Sequence, residues 1–450
     1  MKCERPAVLH RWDSLSGETL MPLIFSRHAE DTSLRSFVCA AATLLVLVTS
    51  AGANAPGAPA SGFGMQTVGG LEGRVIRVTS LEREGPGTLR AAIEAKGPRL
   101  VVFEVGGIID LARKNIRVTE PGLTIAGQTA PNPGITLLRG ALAVETHDVV
   151  IQHLSVRPGD AGQPRKSGWS PDGIAVNAAF NVIIDHCSAT WAVDENLSVS
   201  GPRYQGPAAT SHDVTIRHCL IAEGLDNSSH EKGPHSKGSL IHDCCRNIAI
   251  IANLYAHNAD RNPYFKAETT GVIVNNLIYN PGRAIIRVSF PNSEWQGRPM
   301  PAEGRVSVIG NVLISGVNTR SSVPMIAGTG EVYEQDNVAQ GRDGKPVLVV
   351  DPQIQKLREK PVWPSELRVR PAGEVADYVA RTVGSRPWQR DPIDQRIIDS
   401  VLKREGRIID SQEEVGGYPR RESTRRELGT IPGGAEARRQ WLDRMEQKHS

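Results

Sequence analysis

Four segments repeat one pattern: a turn residue, alternating apolar positions, a polar or small residue, then more apolar ones. They read His147-Asp148-Val149-Val150-Ile151-Gln152-His153-Leu154, Phe180-Asn181-Val182-Ile183-Ile184-Asp185-His186-Cys187, His212-Asp213-Val214-Thr215-Ile216-Arg217-His218-Cys219 and Arg246-Asn247-Ile248-Ala249-Ile250-Ile251-Ala252-Asn253. Weaker copies start near Val272 and Val306. The first valine or isoleucine falls at 149, 182, 214, 248, 272 and 306, spacings of 33, 32, 34, 24 and 34 residues. Period-two alternation in short β-branched runs predicts strands, and recurrence at this interval predicts a stacked array. No convincing amphipathic helix separates the copies, which argues against helical leucine-rich repeats and against a βαβ sheet. The expected fold is all-β, a single-stranded parallel β-helix whose loops project from the stack.

Stacking makes equivalent positions neighbours. Cys187 and Cys219 fall at one place in successive copies, as do Asn253 and Asn311 later, so an internal ladder of like residues is expected. His153, His186 and His218 form a second recurring set, read as structural rather than catalytic or metal-binding. Upstream, Gly73–Leu81 and Arg99–Leu111 read as strands, and Thr88–Ala95 as a short helix closed by Gly97, capping the first coil. Downstream the β pattern fades after Val338, and Ala372–Val383 and Asp391–Glu405 read as helices, with Pro392 just inside the second.

The N-terminus adds a targeting signal. Arg35 precedes a twelve-residue apolar run, Phe37–Val48, and small residues follow to Ala55. This is the order of a secretory signal, and the run is too short for an ordinary membrane span. The expected organisation is a signal peptide over 1–55, a β-helix domain over 56–345, a helical C-terminal extension over 346–420 and a loose charged tail over 421–450. The product is expected to be secreted, monomeric and free of the membrane once the signal is cleaved.

Composition removes several classes. The 450 residues include 44 Gly and 30 Pro, with 39% hydrophobic and 22% charged, unlike a collagen, a coiled coil or a disordered chain. Fifty-two basic residues against 49 acidic give a net charge of +3, too even for a nucleic-acid surface. An acidic ligand must therefore meet a local cluster. Cys187, Cys219, Cys244 and Cys245 remain after signal removal. Four cysteines do not make a disulfide scaffold, and no C-x-x-C pair suggests zinc.

Three polar groups interrupt the apolar strands: Asp172 in Trp169–Val176; Asp185-His186, followed by Asp194-Glu195-Asn196; and Asp260–Lys266, with Lys237 upstream. Adjacent rungs lie about 4.8 Å apart, so residues distant in sequence can line one groove. Carboxylates from two rungs beside Lys and Arg from the next two would make a mixed-charge cleft whose hard oxygens suit calcium.

At these residues the chain resembles the pectate lyases of polysaccharide lyase family 1. Asn181-Val182-Ile183-Ile184-Asp185-His186-Cys187 resembles that family's V-W-I-D-H signature. Asp172-Gly173-Ile174 precedes it, Lys237-Gly238-Ser239-Leu240-Ile241 follows, and Arg261-Asn262-Pro263-Tyr264-Phe265-Lys266 comes last. The likeness spans roughly Gly62 to Val338, and Gly62–Gly70 resembles the secreted bacterial branch. It implies a right-handed β-helix that cleaves polygalacturonate, an acidic plant-type polysaccharide, by calcium-dependent β-elimination. By position it makes Asp172 a Ca2+ ligand with Asp194, Glu195 or both. Lys237 holds a substrate carboxylate, Arg261 is the base, and Lys266, where the family usually has arginine, binds substrate. Asp185 and His186 are structural. Ser170 and Ser198 stand where acidic residues are common, which weakens the expected metal set.

Each assignment has a bland counterpart: a salt bridge to Asp260 for Arg261, a turn aspartate for Asp172, a solvated loop for Asp194, Glu195 and Lys237. Trp169 and Trp191 suit sugar stacking or packing equally. Two other functions stay open, a polygalacturonase-like hydrolase and a non-catalytic polysaccharide-binding β-helix; the hydrolase's usual N-T-D, D-D and G-H-G motifs are absent.

Overall fold

The computed structural model describes residues 61–447; the expected signal peptide lies outside the described residues. The chain winds into a right-handed parallel β-helix with three sheets, and the strands of each sheet follow one another along the stack in chain order. The first sheet has eleven strands, from Arg74–Val78 to Gln355–Lys356. The second has eight, from Ile116–Val118 to Ile326–Gly328. The third has ten, of which Thr424–Arg425, beside Val105–Asp110, is antiparallel.

The repeats stack in register. Val149 pairs with Val182, Val182 with Val214, and Val214 with Ile248. All four point into the stack and are fully buried, as are Ile151, Ile184, Ile216 and Ile250. Full burial of such a side chain stabilises by about 1.5–3 kcal/mol. One expectation fails here. Ile248 is paired with Gly271, not Val272, so the fifth copy begins one residue earlier. A Cβ at Gly271 would lie 2.7 Å from the Phe265 ring. The aromatic ring fills the inward space, and Val272 packs on the outer face with Ala249, Ile251 and Val274.

Between the first and third sheets five successive central coils each bend through one left-handed residue: His153, His186, His218, Ala252 and Asn275 all have φ between +48° and +56°. The imidazoles of His153, His186 and His218 stack at 5.0 and 4.5 Å. The next residue in each coil points inward. Cys187 and Cys219 are free thiols there. Asn253, Asn276, Asn311 and Asn337 continue the ladder, each amide donating to the next at 2.9–3.0 Å. This chain of bonds satisfies polar groups that would be costly to bury unpaired.

Helix Leu89–Glu94, capped by Thr88, covers the first coil. Helices Ala372–Thr382 and Pro392–Lys403 lie along the third sheet, where Val375, Val379, Ile393 and Ile397 pack against Leu220, Leu254 and Leu277. Arg157, fully buried, joins Asp391 and Asp394 at 2.8 and 2.7 Å beneath them. The described part of the tail, 421–447, is not loose as expected. It contributes Thr424–Arg425 to the third sheet and forms helix Ala435–Gln447. Leu428 and Leu442 seal Leu71, Leu100, Val102 and Ala126 on the outer face of the first coils. Its apolar residues are too few to show among the charges, but they meet a prepared apolar surface. No described helix is long and apolar enough to cross a membrane.

Candidate active site

The second sheet carries the polar residues singled out above. Its strands Ile174–Asn177, Glu195–Ser200, Lys237–Ile241, Tyr264–Phe265 and Ile286–Val288 are successive rungs. Leu197, Val199 and Ile241 point inward and are fully buried, so the strand starts are left to face the groove. Asp172 precedes the first of these strands, and its Oδ1 accepts the Glu195 backbone N–H at 3.2 Å. Glu195 is in register with Lys237, which is bridged to Asp260 on the next coil. Asp172, Asp194, Glu195, Lys237 and Arg261 are therefore brought together.

Their contacts are mutual. Lys237 Nζ lies 3.5 Å from Asp194 Oδ1 and 3.8 Å from Glu195 Oε1. Arg261 Nη1 donates to Glu195 Oε1. The bland reading of Arg261 is thus replaced: its guanidinium pairs with Glu195, while Asp260 Oδ1 accepts only its backbone N–H, at 2.8 Å. Asp260's carboxylate instead faces Arg283 at 3.3 Å and Arg287 at 3.9 Å. Arg261 has φ +61°, the left-handed region, an uncommon backbone state for a side chain of this size that recurs at functional sites.

Electrostatics follow from crowding and burial. Burial, then the charge of Asp194, push Asp172 up to about 7. Asp194 is held well below the usual range: burial alone would raise it, but His235 and Lys237 outweigh that. Burial lowers the pKa of Lys237 and of Arg261, each against the opposing pull of Asp194.

Lys266 departs from expectation. It is 4% exposed and pairs with Asp243 at 3.2 Å and with Glu294, a cluster that Arg203 also joins. Those partners, distant in sequence, withhold it from a ligand. Arg287 is presented instead. It lies between inward-facing Ile286 and Val288, one rung beyond Tyr264, with its guanidinium 4.4 Å from the Tyr264 ring centroid. Its alternating strand could have revealed it. Two buried histidines were also missed. His235 Nε2 lies 3.1 Å from Asp194 Oδ1 and against Lys237 Nζ, and His230 Nε2 is 3.7 Å from Asp194 Oδ2. Only the position of His235, two residues before Lys237, signalled it. Trp191 is fully buried, its indole donating to Glu223, and Trp169 donates to Gly159 O, so both serve packing. Asp185, buried, accepts from Arg217 and His186.

One oxygen from each of Asp172, Asp194 and Glu195 lies within 4.8 Å of the others. Three converging carboxylates, one of them driven toward its neutral form by burial and then by its neighbour, are a donor set that a hard divalent cation would relieve. Ser198 does not extend the set; its hydroxyl donates to Asp172 Oδ2. Ser170 is exposed.

A parallel β-helix with acidic and basic side chains converging on one groove is an arrangement a polysaccharide lyase can use, and similarity to known proteins gives that class. The chain is 30% identical to "Probable pectate lyase C" of Emericella nidulans over 372 residues, 80% of this chain and 79% of that one. It is 30% identical to the protein of the same name from Aspergillus flavus over 387 residues, 83% of each. The solved structure of jun a 1, the major allergen from cedar pollen, matches the fold with a TM-score of 0.54 at 16% identity, over 72% of this chain and 92% of that one. No protein-family model matches. The chain belongs to the pectate lyase family, polysaccharide lyase family 1. The expected bacterial branch is not supported, because these relatives are fungal. Membership in the family sets aside the hydrolase and the non-catalytic alternatives.

Proposed function

We propose that this enzyme is a secreted, monomeric lyase that cleaves polygalacturonate by calcium-dependent β-elimination. The observation that carries the reading is the convergence of Asp172, Asp194, Glu195, Lys237 and Arg261 from successive coils onto one groove. Export is supported by the apolar run Phe37–Val48, and the substrate by what the relatives' names describe.

The carbon-bound proton next to a uronate carboxylate is weakly acidic, because its removal adds charge to an anionic group. Lys237 pairs with that carboxylate and stabilises the charge that develops. Arg261 takes the proton; the electron pair forms the new C=C bond, the glycosidic C–O bond breaks, and solvent protonates the leaving oxygen. Arginine is ordinarily a poor base. Burial already favours neutral Arg261, and release from Glu195 removes the partner that holds it protonated. Asp172, Asp194 and Glu195 would hold calcium, which when bound supplies positive charge to the substrate carboxylate. Arg287 supplies a further cation one rung along the groove, where a polymer bearing one carboxylate per sugar needs it.

The test is ultraviolet absorbance of the unsaturated uronide released from polygalacturonate, with calcium and with chelator, for wild type and Arg261→Ala. Calcium-dependent absorbance with wild type alone is expected. Its absence with wild type at alkaline pH would overturn the reading.

A further inference from the structure

Lys237 Nζ has three partners: His235 Nε2, Asp194 Oδ1 and Glu195 Oε1. Two of them belong to the carboxylate set that would hold the metal. A cation taking those oxygens would therefore strip Lys237 of both acidic partners, leaving His235. His235 Nε2 also lies 3.1 Å from Asp194 Oδ1, a contact that needs the ring proton on Nε2 while that oxygen is free. Once a cation claims Asp194, the ammonium, which has donors only, is left facing the Nε2 lone pair, with the ring proton on Nδ1; the tautomer is assigned from these partners. The ring is well fixed. His235 is 6% exposed, stacks on His230 at 3.5 Å between centroids, donates its backbone N–H to Asp226 O, and accepts from Arg283 at its own carbonyl. His230 is fixed in turn, its Nδ1 accepting the Lys232 backbone N–H at 3.1 Å. That bond places the His230 proton on Nε2, 3.7 Å from Asp194 Oδ2.

We propose that His235 is a positioning residue: a neutral acceptor that keeps the Lys237 ammonium aimed at the substrate carboxylate when metal claims Asp194 and Glu195. A carboxylate in its place would neutralise the charge that Lys237 must offer; an imidazole lone pair orients the group and leaves its charge intact. The inference rests on the lyase reading.

The test compares His235→Leu, which removes the acceptor, with His235→Gln, whose Oε1 restores one. His235→Asn, too short to reach Nζ, replaces the leucine variant if that does not fold. The first readout is independent of catalysis: the rate at which acetic anhydride labels Lys237 in calcium, followed by mass spectrometry. The second is the split between kcat and KM on polygalacturonate. Leucine is expected to speed labelling several-fold and to lower kcat/KM by about 10–100-fold, the usual cost of losing such an outer partner, with glutamine recovering most of both. Equal behaviour of Leu and Gln, or unchanged labelling, would overturn the proposal. So would Zn2+ binding by wild type that His230→Gln and His235→Gln abolish, which would make the pair a metal site. A labelling difference in a wild type without lyase activity would uphold the positioning role and sink the lyase reading instead.

Discussion

Arg261 reaches back across the stack to Glu195, 66 residues earlier, and the two form an ion pair at the groove. The pair joins the proposed base to a proposed metal ligand, so one carboxylate serves two competing cations. Arg261→Ala is expected to lower kcat by at least about 10²-fold, the smaller end of what a positioned base supplies, with KM changed far less. The Arg261 side chain is 21% exposed, so unfolding should not account for the loss. Steady-state kinetics beside a thermal melt check both halves.

Asp172 sets an expected pH dependence. Its pKa of about 7 in the folded chain lies above the value of about 3.9 for a free aspartate. The folded state therefore holds the extra proton between these values. Asp172 favours folding below the free value, and that contribution is lost as pH rises through about 7. Above that point the ionised carboxylate is available to a cation. Calcium should raise the melting temperature more at pH 8 than at pH 5, and Asp172→Asn should flatten the difference. An equal calcium effect at both pH values in the wild type would contradict this.

Lys266 and Arg287 are expected to separate stability from substrate binding. Lys266→Met strands part of the Asp243 carboxylate, which is fully buried. It should destabilise by about 1–3 kcal/mol, with KM within a few-fold of wild type. Arg287→Ala removes a side chain that is 35% exposed, so the melt should barely move while KM rises about tenfold, the equivalent of 1.4 kcal/mol. Denaturation curves and kinetics on both variants decide the matter, and the reverse pattern would restore Lys266 as the substrate ligand.

The asparagine ladder should be costly to interrupt. Asn276 donates to Asn311 and accepts from Asn253 deep in the stack. Asn276→Ala leaves those neighbours short of partners and is expected to cost about 1–3 kcal/mol, measured by urea denaturation.

The coils were legible because their code is local. Val149, Val182, Val214 and Ile248 each sit in an alternating β-branched run that specifies a strand, and the interval between runs specifies the stack. The code failed at Gly271, where the inward space is filled by Phe265 from another segment of the chain. It failed in the tail, where Leu428 and Leu442 have meaning only against Leu100 and Val102. Asp172, Lys237 and Arg261, which converge on one groove, could be picked out from ordered motifs. The ion pairs of Lys266 could not, because Asp243 and Glu294 lie 23 and 28 residues away, beyond any local pattern.

The amino-acid sequence alone thus determined the strand pattern, the stacked architecture and the candidate acids and bases. Those depend on side-chain alternation and on residue type, both local properties. Tertiary structure decided which charges meet: Arg261 with Glu195 and not Asp260, Lys266 with Asp243 and Glu294, Lys237 with Asp194 and Glu195. Electrostatic pairing depends on separation in space and on burial, and in a coiled stack both are set by register between turns of the chain many residues apart.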